Sequence, residues 1–147
     1  MKKRGFTLIE LLVVIAIIGL LSTLAVVALN NARQKSRDAK RVSDVKQIST
    51  ALELYFADNN GYPVAAVAIV LGSTNYDCFD EDGFVAACDV GGTTYMGVVP
   101  ANPLPNGADY SYLSADGTDY TLSFELEGAT GGLSAGVATA SPSGIAQ

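Results

Sequence analysis

Residues 1–29 read MKKRGFTLIELLVVIAIIGLLSTLAVVAL. A basic leader, Lys2-Lys3-Arg4, ends at Gly5. An apolar run then extends from Phe6 to Leu29, broken by one ionised side chain, Glu10. A helix of this length spans a bilayer. The run holds 16 large apolar residues, worth together about −5 to −10 kcal/mol on the insertion scale, against about +2.5 to +3.5 for one carboxylate. Insertion wins, and Glu10 becomes an intramembrane charge that needs a reason. A secretory signal peptide, with a small-residue site near Val26-Val27-Ala28, is the competing reading. The run is longer than such an h-region, and a carboxylate has no use in one.

The helical pattern continues past the apolar run. Val42, Val45, Ile48, Leu52 and Tyr55 recur at steps of three and four and form one apolar face. Arg33, Arg37 and Lys40 line another, with Asp38 and Asp44 interleaved for nearby ion pairs. No glycine or proline interrupts Leu20 to Asn60. One helix is therefore expected from Phe6 to Asp58, ended by Asn59-Asn60-Gly61-Tyr62-Pro63, with Gly61 as the left-handed cap.

Beyond the helix, Val64 to Leu71 is small and apolar and reads as a short helix or turn. Residues 76–92, YDCFDEDGFVAACDVGG, read as an acidic loop around two cysteines. Three prolines at 100, 103 and 105 impose an extended connection. Two strands, Tyr110 to Leu113 and Tyr120 to Glu127, flank Asp116-Gly117, a hairpin dipeptide. In the second, Tyr120, Leu122, Phe124 and Leu126 alternate with polar residues, as in a sheet laid on a helix. Leu133 to Ala138 reads as a third strand, and the tail SPSGIAQ as mobile. The fold class is α+β: a long N-terminal helix, its first half membrane-spanning, packed against a small antiparallel sheet.

Two stretches carry a family resemblance. KRGFTLIELLVVIAIIGLL resembles the N-terminus of prepilins of the type IV filament superfamily, which includes type IV pilins and type II secretion pseudopilins. YFADNNGYP resembles the helix-end motif of pseudopilins and related pilins. The resemblance implies the same pilin-like architecture. It divides the chain into a leader (1–5), a transmembrane and assembly helix (6–29), an amphipathic stalk helix (30–60) and a globular head (61–147). It further implies cleavage by a prepilin peptidase between Gly5 and Phe6, N-methylation of Phe6, and pairing of Glu10 with a neighbouring subunit's terminal amine. Relief of an uncompensated charge in the bilayer makes that pairing sensible. Many relatives carry a proline late in the apolar segment; here Ser22 to Leu29 contain none, and Gly19 is the weak helix former.

Charge is polarised. Residues 1–46 hold 9 basic and 3 acidic side chains, and residues 47–147 hold 0 basic and 12 acidic. A positive-inside count alone would turn the head toward the cytoplasm; the resemblance keeps the leader cytoplasmic and the head outside. In that compartment Cys78 and Cys88 read as one disulfide, with two buried thiols as the alternative. A head without cations is a poor nucleic-acid binder. The basic stalk, which lacks interleaved aromatics, reads as a face toward lipid headgroups or neighbouring acidic heads.

Chemistry is sparse. The chain has no His and no phosphate-cradling loop, so the usual catalytic players are missing and no enzyme is expected. No cofactor is expected either, with Ca²⁺ as the alternative. Asp80, Asp82 and Asp89 are its candidate ligands, although the spacing fails the EF-hand pattern. The match to the calcium loop near the C-terminus of some pseudopilins is loose, with Glu125 and Glu127 as the acids beyond Asp119.

The expected protein is a filament subunit. Its partners are other pilin-like subunits, the prepilin peptidase, the membrane before assembly and the assembly machinery. It is first a single-pass precursor in the cytoplasmic membrane and then part of an extracytoplasmic filament. A major-type secretion pseudopilin is the near alternative. A solitary membrane-anchored domain, calcium-binding or not, is the distant one, and it has no use for Glu10.

Overall fold

In a computed structural model, which describes residues 6–147, one helix, α1, runs Leu8–Asn59. The chain divides into a first compact unit ending at Gln34 and a second, Lys35–Gln147. In the second unit, Val45, Ile48 and Leu52 are fully buried, as the three-and-four spacing requires. Val42 and Tyr55 pack at the margin of the same core. Burial of each such aliphatic side chain is worth about 1.5–3 kcal/mol.

The left-handed cap comes one residue earlier than the glycine. Asn60, not Gly61, takes the left-handed conformation, with φ 56°, and its N–H bonds the Phe56 carbonyl at 2.8 Å. Asparagine tolerates that region because its short side chain bonds locally. The chain then docks onto the head: Tyr62 N–H donates to the Gly117 carbonyl at 2.7 Å. Gly117 has φ 79°, and a Cβ there would stand 2.9 Å from the Tyr62 carbonyl oxygen. Glycine is required at that contact.

Eight strands follow: β1 Ala65–Val70, β2 Cys78–Asp80, β3 Gly83–Val85, β4 Thr94–Met96, β5 Ser111–Ser114, β6 Thr121–Leu126, β7 Gly136–Ser141 and β8 Gly144–Ala146. They make a five-stranded sheet, β1-β5-β6-β7-β8, and a three-stranded one, β3-β2-β4, with antiparallel neighbours throughout. The expected hairpin is β5–β6, with Tyr112 opposite Leu122. Its connection is wider than a two-residue turn: Asp116 Oδ1 accepts from Thr118 N–H and Oγ1 at 3.0 and 2.6 Å. Tyr120, Leu122, Phe124 and Leu126 are buried, matching the alternation.

Four expectations are corrected. Val64 to Leu71 holds a strand, β1, because pairing with β5 satisfies a backbone whose small side chains set no helical period. The third strand lies three residues later than its sequence signal, at Gly136–Ser141. The tail is paired: Pro142 and Ser143 turn the chain so that Gly144 faces Ser141 in the β7–β8 hairpin. The acidic stretch 76–92 is built around β2 and β3, and Phe79 within it is fully buried.

An aromatic chain joins the two sheets to the helix. Tyr55 stacks on Phe79 at 5.3 Å, Phe79 on Phe84 at 4.5 Å, Phe84 meets Tyr112 at 4.9 Å, and Tyr120 meets Tyr62 at 4.8 Å. Such pairs add about 0.5–1.5 kcal/mol each beyond buried area.

Candidate assembly site

The N-terminal segment is built to be covered by something else. All 16 large apolar residues from Phe6 to Leu29 are exposed. The helix is long and apolar enough to cross a membrane. Its hydroxyls are satisfied within it: Ser22 donates to the Ile18 carbonyl at 2.7 Å and Thr23 to the Leu20 carbonyl at 2.8 Å. No side-chain donor is left bare in an apolar surrounding. Gly5 and the leader, with the first half of the expected cut, lie outside the described residues. Phe6 is 78% exposed.

Glu10 has a local partner that the sequence reading missed. Its Oε2 accepts from the Thr7 N–H at 2.8 Å and from Thr7 Oγ1 at 2.7 Å, while Thr7 Oγ1 accepts from the Glu10 N–H at 3.3 Å. This is a capping box, and the signal T-x-x-E ahead of an apolar run was present in Thr7-Leu8-Ile9-Glu10. The carboxylate also meets the positive end of the helix dipole. A cut before Phe6 leaves the Thr7 amide in place, so the cap is compatible with the expected processing. The cap fixes the carboxylate at the helix start beside Phe6.

The stalk half of α1 carries a second unforeseen feature. Arg41 is fully buried. Its Nε donates to Asn102 Oδ1 at 2.8 Å, and Nη1 donates to Asp38 Oδ1 and Glu127 Oε1, both at 2.7 Å. Nη2 donates to the carbonyls of Pro103, at 3.0 Å, and Asn106. Asp38 in turn accepts the Glu127 and Gly128 N–H groups at 3.0 and 2.9 Å. Two guanidinium groups, Arg37 and Arg41, face two carboxylates, Asp38 and Glu127, so the cluster is neutral. The Arg37 hydrogen bonds above all hold the Glu127 carboxyl well below the usual range, against the desolvation that raises it. Burial and the Asp44 carboxylate push the Tyr110 hydroxyl up. Lys40 pairs with Asp44 at 3.0 Å, the interleaving that the spacing indicated. The stalk is thus no uniform basic face: Arg37 and Arg41 are taken by the chain's own head. A lone arginine in a cation-rich helix gives no local sign of burial, since all of its partners except Asp38 lie 61–86 residues away.

Cys78 and Cys88 form a disulfide, with Cα atoms 5.4 Å apart. Asp80 is buried, and both of its oxygens are occupied by backbone: Oδ1 by the Asp82 N–H at 3.0 Å, Oδ2 by the Asp89 N–H at 3.1 Å. Asp82 and Asp89 are exposed. Among the described residues, the acidic and sulfur ligand atoms that gather within 4.8 Å are those of Cys78, Asp80 and Cys88. Both sulfurs of that group are already spent on the bridge. The three carboxylates expected for calcium are not brought together, and Asp80 acts as a loop clamp. Glu125 accepts the Ala108 N–H at 2.8 Å, and Glu127 belongs to the arginine cluster.

An uncovered apolar helix with a capped acid at its start, continuing into a stalk helix packed on an antiparallel sheet, defines a pilin-like structural subunit. Residues 1–26 match the family described as the prokaryotic N-terminal methylation motif. The chain is 36% identical over 144 residues to type II secretion system core protein G of Escherichia coli (strain K12), covering 90% of this chain and 94% of that one. It is 31% identical over 138 residues to the protein of that name from Vibrio cholerae, covering 89% and 86%. Against that of Klebsiella pneumoniae it is 44% identical over 119 residues, covering 77% and 76%. No solved structure matches. The chain belongs to the type II secretion system core protein G family, within the pilin and pseudopilin superfamily.

Proposed function

We propose that the chain is the major-type pseudopilin of a type II secretion system: a structural subunit, not an enzyme, that polymerises into a filament at the cell envelope. The precursor sits in the cytoplasmic membrane with its leader inside. A prepilin peptidase cuts between Gly5 and Phe6, and the new Phe6 amine is methylated. Assembly machinery draws subunits from the membrane, and the apolar helices pack as the filament core. Glu10 answers the Phe6 amine of a neighbouring subunit, so that neither charge is stranded in an apolar setting.

The observation that carries this reading is the wholly uncovered apolar segment with one fixed carboxylate at its start. A solitary anchor is served by the apolar residues and the Thr7–Glu10 cap, for which glutamine would suffice; the negative charge serves a subunit that answers a neighbour's amine. Secretion rather than a surface pilus is favoured by the relatives, whose names place them in type II secretion. Deleting the gene is expected to block release of the host's secreted enzymes, with restoration by the wild-type gene. Unchanged secretion together with lost surface pili would move the chain to the pilus side of the superfamily.

A further inference from the structure

A groove of about 590 Å³ opens in the second unit between α1 and the β7–β8 hairpin. Val42, Tyr120, Leu133 and Ile145 supply apolar walls, and Lys46 is part of the lining. Lys46 is exposed and has no ion-pair partner among the described residues. It is also the last cation of the sequence. The groove therefore offers apolar contact beside one unanswered ammonium, on a head that is otherwise anionic.

The complementary shape and charge lie on the same head. Val90 is fully exposed at a loop tip, next to the exposed Asp89. An exposed valine alone is ordinary. This one is held out on an anchored tip: Cys88 is bridged, Asp80 holds the Asp89 amide, and Glu81 accepts the Thr93 N–H at 3.3 Å. Gly91, with φ 98°, reverses the chain directly after it.

The two features stand at different heights along α1. The loop's sheet bonds to the helix end, where Tyr95 donates to Asp58 at 2.9 Å, whereas the groove begins at Val42. Their centres are separated by about ten residues of helix, or ~15 Å at ~1.5 Å per residue. Two complementary patches displaced along one subunit give a head-to-tail contact, which repeats without closing unless the rotation closes it. That is the contact an open filament needs.

We propose that the Asp89–Val90 tip of one copy seats in the groove of the next, with Val90 on the apolar wall and the Asp89 carboxylate on the Lys46 ammonium. Glu53, the carboxylate that lines the groove, already accepts the Tyr62 hydroxyl at 2.9 Å and lies two helical turns from Lys46. The acid is therefore drawn to Lys46. This inference rests on the filament reading above and adds a lateral contact to it.

Charge reversal tests it in cells that express the full chain. Sheared filament is measured against the membrane pool. K46E and D89K are each expected to lower filament yield at least tenfold, and K46E/D89K to return it to within threefold of wild type. A fold defect would not be repaired by adding a second substitution. Full yield from either single variant, or a double variant no better than the singles, overturns the contact and leaves the filament reading standing. Absence of filaments from the wild-type chain overturns both.

Discussion

The Arg37 guanidinium holds the Glu127 carboxylate by two parallel hydrogen bonds of 2.6 Å, from Nε to Oε1 and from Nη2 to Oε2. The two residues are 90 positions apart, and their pairing fastens the stalk part of α1 to the end of β6.

Acid should loosen that fastening. The Glu127 carboxyl is held below its unfolded value, near pH ~4.3. Its stabilising contribution is therefore present above that pH and is lost as pH falls toward the folded value. Thermal melting of the detergent-solubilised protein should shift to lower temperature below about pH 5, and Glu127→Gln should flatten that part of the profile. A profile as steep in the variant as in wild type would remove Glu127 from the account.

Arg41 is the centre of the same cluster, and its loss should be costly. Arg41→Met leaves the buried Asp38 without its ion-pair partner, with Arg37 still on Glu127, a change expected to cost about 3–5 kcal/mol. Arg41→Lys should rescue little, because one ammonium cannot reach acceptors spread around a guanidinium fork. Urea titration measures both.

Gly107 tests the cluster from the other side. It has φ 89°, and a Cβ there would come within 2.9 Å of Arg41 Nη2. Gly107→Ala should cost about 1–3 kcal/mol. Combined with Arg41→Met it should cost less than the sum, since the clash disappears with the guanidinium.

The sequence made some of this plain and concealed the rest for physical reasons. Val45, Ile48 and Leu52 were legible because a helix face is a local, periodic property, and so were the β5–β6 hairpin and its alternation. Val64 to Leu71 was not, since alanine and valine fit either state and pairing with β5 decides between them. The β7–β8 hairpin was hidden by a tail of small polar residues whose only pairing partner is the preceding strand. Arg41 looked like its exposed neighbours because burial there is set by Asn102 and Glu127. The Thr7–Glu10 cap was visible in the spacing but was overshadowed by the question of an intramembrane charge at Glu10.

Cys78 and Cys88 close a loop with a sequence separation of 10. A bridge over so short a loop is worth about 2–3 kcal/mol by chain entropy. Cys78→Ser/Cys88→Ser should lower stability by that amount and selectively loosen β2–β4. Amide exchange at Phe79 and Phe84 should rise more than at Leu122 and Phe124. Uniform acceleration across both sheets would mean that the bridge does not act locally.

The central claim is that Glu10 serves assembly by its charge, and Glu10→Gln isolates that charge. Glutamine still completes the capping box with Thr7, so helix start and membrane insertion are preserved. What is lost is the anion expected to answer a neighbour's Phe6 amine. The measurement is the yield of sheared filament from Glu10→Gln relative to wild type, with membrane level and an intact mass beginning at methylated Phe6 as controls. The account predicts normal membrane level and processing with filament reduced at least tenfold. Wild-type filament yield from correctly processed Glu10→Gln protein would contradict it.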